Sequence, residues 1–77
     1  IDLIARRGRM VAFIEVKMRG SAADLDLAID AYRLRRVAAA VEAVAPRYVR
    51  PGDDLRIDVM LIAPWTRPRH LTNVWLG

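Results

Sequence analysis

With 77 residues and no cysteine, the chain has the length of one small domain, and its composition excludes a disulfide framework and a thiolate metal site. No apolar run approaches the roughly 18 residues that a membrane span needs, so we expect a cytoplasmic protein with no membrane partner. Thirteen Lys and Arg residues against nine Asp and Glu residues give a net charge of +4, an excess that favours a polyanionic partner such as nucleic acid.

Two strands joined by a tight turn are predicted at the start of the chain. Residues 1–5 and 10–18 are rich in apolar and β-branched side chains, and Gly8 between them can supply the positive φ of a turn. Because the first residues already have strand character, we expect the natural protein to start upstream. The even-numbered residues of the second strand are all apolar and predict its core face, whereas Glu15 and Lys17 lie on the other face.

The length of the turn determines which residues of the two strands face each other. A two-residue loop at Arg7-Gly8 and a four-residue loop over residues 6–9 give the same register, in which Asp2 faces Phe13. Asp2 then lies on the face of Glu15 and diagonal to it, with about 7–8 Å between the two backbones. A three-residue loop would place Asp2 on the opposite face.

The rest of the chain predicts a loop, a helix and two more strands. Residues 20–29 are predicted as a loop beside the site. Asp30 is a good N-cap for an amphipathic helix that ends at Pro46. Residues 55–63 alternate and predict a third, central strand, and residues 70–76 predict a short last one, so the predicted order is β-β-α-β-β.

Asp2, Glu15 and Lys17 are the candidate catalytic residues. Carboxylate oxygens are hard ligands, so Asp2 and Glu15 are predicted to hold Mg²⁺ or Mn²⁺, which can neutralise a scissile phosphate and activate a water. Lys17 is the chain's one lysine, and at two residues from Glu15 its ammonium can orient that water or stabilise negative charge. The alternative is a surface ion pair between Glu15 and Lys17, with Asp2 an ordinary residue at a strand end.

Several other residues have candidate roles. Arg19, Arg33 and Arg36 are predicted to bind backbone phosphates, although solvation explains such arginines nearly as well. Asp58 lies mid-strand among apolar residues and is interpreted as a buried acid satisfied by Arg, with a role in orienting the site as the alternative. His70 has no second His or Cys nearby in the sequence and is predicted to be a surface residue.

Four segments resemble the YraN-like family of bacterial proteins, namely residues 1–5, 11–19, 33–36 and 56–59. That family belongs to the restriction-endonuclease-like superfamily of PD-(D/E)XK nucleases, related to Holliday junction resolvases and to the tRNA-endonuclease-like domain. The resemblance implies an α/β fold with a three-layer α/β/α core and a mixed sheet. It also implies that residues 1–77 form a single nuclease-like domain that lacks the family's upstream helix and first strand. The family's site residues fall on Asp2, Glu15 and Lys17.

The leading functional prediction is a metal-dependent endonuclease that hydrolyses phosphodiester bonds of nucleic acid, with DNA, including branched DNA, as the favoured substrate. The first alternative is a nucleic-acid-binding module of the same fold without catalytic turnover. The second is a protein-interaction domain in which Asp2, Glu15 and Lys17 form a buried ionic cluster. Metal binding separates this last class from the other two, and cleavage separates the first two.

Overall fold

A mixed four-stranded sheet with a helix packed on it makes up the described part of the chain. The computed structural model describes residues 1–21 and 30–75. The elements are β1 (Leu3–Arg7), β2 (Met10–Met18), α1 (Ala31–Val44), a 3₁₀ helix (Ala45–Arg47), β3 (Asp54–Ile62) and β4 (Arg69–Leu71). The predicted α/β class and the order β-β-α-β-β are confirmed.

The strands lie in the order β1-β2-β3-β4. β2 and β3 are parallel, and each outer strand is antiparallel to its inner neighbour. The third strand is therefore internal, as predicted. The last strand covers Arg69–Leu71 and is shorter than predicted. The second helical layer of an α/β/α core stays a prediction, because α1 is the one α-helix within residues 1–21 and 30–75. In those two ranges no helix has the length and apolar character of a membrane span.

The hairpin between β1 and β2 has a two-residue loop, Gly8-Arg9, because Arg7 pairs with Met10. Gly8 has φ +59°, and glycine at the first loop position is typical of a type II′ turn, whose twist matches that of the flanking strands. The predicted loop positions were therefore wrong.

The corrected register moves Asp2 closer to Glu15. Leu3 pairs with Ile14, whereas the prediction paired it with Ala12, a shift of two residues. A shift of two residues keeps every side chain on its predicted face, since faces alternate with period two. Asp2, one residue before Leu3, therefore lies across from Glu15 instead of Phe13. It shares the face of Glu15, as predicted.

The helix begins and ends close to the predicted positions. The Asp30 carboxylate accepts a hydrogen bond of 2.8 Å from the backbone N–H of Arg33 and so caps the first turn. The α-helix ends at Val44, and Pro46 lies in the 3₁₀ turn that follows. The predicted loop over residues 20–29 lies largely outside the described residues.

The predicted core face of β2 was wrong. The helix packs on the odd-numbered face, where the buried cluster consists of Val11, Phe13, Ala38, Val41 and Ile57. Alternation could not choose between the faces, because the first half of β2 is apolar on both and its even-numbered residues Ala12 and Ile14 are buried too. The consequence for function is that Glu15 and Lys17 lie on the face that carries the helix.

Candidate active site

A cleft between the sheet and α1 contains two of the three candidate catalytic residues. It measures about 540 Å³. The sheet side contributes Glu15 and Lys17 from β2, together with Ile1. The helix side contributes Tyr32, Arg33, Arg36, Val37 and Ala40. Carboxylate, ammonium and guanidinium groups therefore line one cavity, whose size falls within the usual range for ligand sites.

Glu15 and Lys17, which both line the cleft, form an ion pair. Lys17 Nζ lies 3.4 Å from Glu15 Oε1, and the two side chains are 19% and 17% exposed. The pair is thus partly withdrawn from water, where charges attract each other more strongly than at an open surface. The nitrogen of Ile1 lies 3.4 Å from Glu15 Oε2. Wherever a residue precedes Ile1, that nitrogen is an uncharged amide, so Lys17 is the cation to consider.

Asp2 is fixed beside Glu15 by two hydrogen bonds to β2. Its backbone N–H donates to the Ile14 carbonyl at 3.0 Å, and its Oδ2 accepts from the backbone N–H of Val16 at 2.8 Å. These bonds hold Asp2 to the two residues that flank Glu15 in the chain. The bond from Val16 occupies one carboxylate oxygen, and Asp2 lies next to the residues that line the cleft rather than among them.

The chemistry of Asp2 and Glu15 fits a magnesium-type ion. Mg²⁺ is commonly held by one or two carboxylates and completes its shell with waters and substrate phosphates. Two adjacent acids with hard oxygen atoms meet that requirement. Within residues 1–21 and 30–75 no group of three or more His, Cys, Asp or Glu residues clusters, so waters and phosphate would supply the other ligands.

Arg33 and Arg36, both predicted to bind phosphate, lie on the helix wall of the cleft. Arg33 Nε is 3.7 Å from the carboxylate of Asp30, but both side chains are about half exposed, so this ion pair is weak. The guanidinium of Arg36 lies 6.0 Å from the centre of the Tyr32 ring. The structure thus brings two predicted phosphate ligands together with Glu15 and Lys17.

Arg19, the third predicted phosphate ligand, is placed differently. It follows β2, where its backbone N–H donates to the Ile62 carbonyl at 3.0 Å. Its guanidinium donates to the Met18 carbonyl at 2.7 Å. Arg19 is therefore near the end of the strand that carries Glu15 and Lys17, but it does not line the cleft.

Comparison with known proteins identifies the family. The protein family described as "Uncharacterised protein family UPF0102" matches residues 1–62 of the chain. The chain belongs to the UPF0102 family. The resemblance predicted from four segments of the sequence, to the family also called YraN-like, is thereby confirmed.

Three UPF0102 proteins illustrate the similarity. The one from Sphingopyxis alaskensis is 73% identical over 75 residues, which are 97% of this chain and 65% of that protein. The one from Rhizorhabdus wittichii is 68% identical over 77 residues, 100% of this chain and 65% of that protein. The one from Erythrobacter litoralis is 60% identical over 75 residues, with 97% and 65% covered. The chain spans about 65% of the length of these relatives.

A second polar cluster of this UPF0102 chain lies on the opposite face of the sheet, where Asp58 pairs in register with Ile14. The fully buried Asp58 carboxylate contacts Arg56 Nε at 3.1 Å and His70 Nε2 at 2.8 Å, and it accepts from Asn73 N–H at 2.9 Å. Burial, the largest single influence, raises the pKa of Asp58, but the contacts with Asn73, His70 and Arg56 together outweigh it and leave the pKa below its usual value.

This cluster supports the interpretation of Asp58 as a buried structural acid satisfied by Arg. It does not support an orienting role in the cleft, because Asp58 and Glu15 lie on opposite faces of the sheet. The prediction for His70 was incomplete, since its partly exposed ring is a partner of Asp58. No spacing in the sequence reveals that contact, which depends on β4 pairing His70 with Met60.

Tyr32 is the polar residue lining the cleft that the sequence prediction missed. The signal was present, because residues 32, 33, 36, 37 and 40 recur at helical spacing and form one face of α1. Arg33 and Arg36 were selected for their charge alone, and Tyr32 shares their face of the UPF0102 helix.

Proposed function

We propose that this UPF0102 chain carries the catalytic centre of a metal-dependent endonuclease, which hydrolyses phosphodiester bonds of nucleic acid. The observation that supports this most is the convergence of Glu15, Lys17, Arg33 and Arg36 on one cleft, with Asp2 fixed beside Glu15. Metal-ligating, water-orienting and phosphate-binding groups are the parts that such a reaction needs.

The acidic and basic side chains of β2 have different roles in this proposal. Asp2 and Glu15 would hold Mg²⁺ or Mn²⁺, which when bound supplies charge neutralisation and a more acidic water. Glu15 also holds the Lys17 ammonium at 3.4 Å, which limits its motion before substrate arrives. Lys17 can then donate hydrogen bonds to the attacking water and to the phosphate oxygen that gains charge.

The arginines of α1 would bind the substrate backbone. Arg33 and Arg36 face Glu15 and Lys17 across the cleft, and a guanidinium offers a planar set of donors that matches phosphate. A strand held in this way places a phosphate between helix and sheet. DNA, including branched DNA, is the proposed substrate because of the family's relation to Holliday junction resolvases.

A binding module without turnover is the second candidate function. It is favoured by one observation, the engagement of the Asp2 carboxylate by the backbone N–H of Val16 beside the cleft. Under this alternative the Asp2 carboxylate stabilises the start of β1 against β2 and holds no metal. The basic helix wall would still bind nucleic acid under this alternative.

Cleavage and binding assays on the full-length protein distinguish these candidates. Labelled branched and linear DNA, and RNA of the same sequence, are incubated with Mg²⁺ or Mn²⁺ and wild-type, Glu15→Gln or Lys17→Met protein. We expect DNA cleavage by the wild type, with losses of about 10²-fold or more in both variants. Calorimetry should show that Glu15→Gln, but not Lys17→Met, loses metal affinity.

Matched arginine variants test the substrate-binding wall. Arg33→Ala and Arg36→Ala should weaken DNA binding more than Arg35→Ala, which removes the same charge from an exposed position of the same helix outside the cleft. Wild-type DNA binding without cleavage would favour the binding module. Cleavage at the wild-type rate by both Glu15→Gln and Lys17→Met would refute the proposed active site.

A further inference from the structure

An exposed aromatic ring stands inside the charged cleft. Tyr32 lines the same cavity as Glu15 and Lys17, yet 64% of its surface remains exposed to solvent. Aromatic rings are large apolar groups that gain most from being covered. Tyr32 is not a member of the buried clusters that hold α1 to the sheet, so its ring is available to a ligand in the cleft.

The position of the ring is defined by its neighbours. Tyr32 lies in the first turn of α1, which Asp30 caps through the backbone N–H of Arg33 at 2.8 Å. The guanidinium of Arg36, one turn later, lies 6.0 Å from the ring centre, within the range of a cation–π interaction. A ring placed in this way loses less conformational freedom when a ligand stacks on it.

The charges around the ring indicate the kind of ligand. Arg33 and Arg36 flank Tyr32 on the cleft wall and would attract phosphate groups. A flat aromatic ring beside phosphate-binding cations is the combination that proteins use for unpaired nucleotides, in which the base stacks and the backbone meets positive charge. A base within an intact duplex is already stacked on its neighbours and is not available to the ring.

We propose that Tyr32 is a stacking site for an unpaired nucleobase adjacent to the phosphate bound in the cleft. This inference rests on the proposed nuclease function and deepens it, because it gives the cleft a preference for single-stranded or unpaired segments over fully paired duplex. Stacking on one aromatic side chain contributes about 5- to 150-fold in affinity.

Fluorescence anisotropy with labelled oligonucleotides tests the proposal, with divalent metal chelated so that binding is measured without hydrolysis. The probes are a fully paired DNA duplex and the same duplex with a run of unpaired bases. The proteins are full-length wild type, Tyr32→Ala, Tyr32→Phe and Trp65→Ala. Trp65 is the matched control, because it is a fully exposed aromatic residue that does not line the cleft.

The wild type should bind the partly unpaired probe more tightly than the duplex. Tyr32→Ala should lose about tenfold or more in affinity for the unpaired probe, with little change for the duplex. Tyr32→Phe and Trp65→Ala should both retain the wild-type preference, since the ring is kept in the first and the cleft is intact in the second. Thermal melts should show that all three variants are folded.

Equal affinity of wild type and folded Tyr32→Ala for the unpaired probe would overturn the inference, as would an equal loss in Trp65→Ala. In either case wild-type DNA binding and cleavage would leave the proposed nuclease function standing. A wild type that binds neither probe here, and that cleaves no DNA when Mg²⁺ or Mn²⁺ is present, would instead overturn the proposed function and this inference together.

Discussion

His70 Nε2 lies 2.8 Å from Oδ2 of Asp58, and this contact joins β4 to a fully buried carboxylate on β3. Removing a carboxylate from water costs several kcal/mol unless hydrogen bonds and opposite charge compensate. Arg56 and the backbone N–H of Asn73 supply the further contacts. The cluster therefore attaches β4 and the residues after it to the sheet, on the face away from the cleft.

Replacing Asp58 by Ala should destabilise the protein by about 3 kcal/mol or more. The substitution leaves the donors of Arg56, His70 and Asn73 without their shared acceptor and opens a space in a buried site. Urea denaturation followed by circular dichroism gives the free energy of unfolding. Asp54→Ala is the control, since that aspartate is exposed on the same strand and should change stability by less than about 0.5 kcal/mol. Equal effects of the two substitutions would contradict the role assigned to the cluster.

Acid should destabilise the fold between about pH 4 and pH 2. The hydrogen bond from Arg6 at 2.8 Å, followed by the one from the backbone N–H of Arg50, lowers the pKa of Asp53 to about 2. An unfolded aspartate titrates near pKa 3.9. Because the pKa of Asp53 is lower in the folded than in the unfolded protein, its ionised carboxylate stabilises the fold in full above the unfolded pKa. This contribution is lost as the pH falls from the unfolded pKa through the folded pKa. The lowered pKa of Asp58 acts in the same direction.

The measurement is the melting temperature as a function of pH, in wild type and Asp53→Asn. The variant keeps an oxygen that can accept a hydrogen bond but has no carboxylate to protonate, so its melting temperature should fall less steeply between about pH 4 and pH 2. Parallel curves for the two proteins over this window would show that the contact between Arg6 and Asp53 does not contribute to acid stability.

Local signals predicted the elements of the fold well. The Asp30 cap, Pro46 and the alternation of β3 each depend on the residues of one short segment, and the structure agrees with all three. Alternation also predicted that Glu15 and Lys17 share a face at two-residue spacing, and both line the same cleft.

Features that depend on contacts between segments were beyond the sequence. Both faces of β2 are apolar around Val11 and Phe13, so the pattern could not show which one the helix covers. The loop position is different, because the type II′ preference for glycine at the first loop position favours Gly8-Arg9 over the predicted Arg7-Gly8 and could have been applied to the sequence. The contact between His70 and Asp58 arises only when β4 pairs with β3.

Gly8→Ala tests the turn that aligns Asp2 with Glu15. Gly8 has φ +59° with open space around an added Cβ, so the cost of the substitution is conformational and should be about 1 kcal/mol. Gly20 also has open space, and its φ lies outside the left-handed region, which makes Gly20→Ala the matched control. That variant should change the free energy of unfolding by less than about 0.5 kcal/mol. A Gly8→Ala protein as stable as wild type would argue against a left-handed residue in the turn.

Lys17→Arg asks whether the site needs an ammonium or only a positive charge. A guanidinium is larger, planar and permanently charged, so it cannot take the ammonium's place 3.4 Å from Glu15 Oε1 with the same direction of its N–H groups. We expect the cleavage rate at saturating DNA to fall by about 10²-fold, with DNA affinity within about threefold of wild type because the net charge is unchanged. Single-turnover cleavage and anisotropy measure the two quantities separately. Lys17→Arg cleaving as fast as wild type would mean that charge alone suffices, and that the ammonium has no special role in orienting the attacking water.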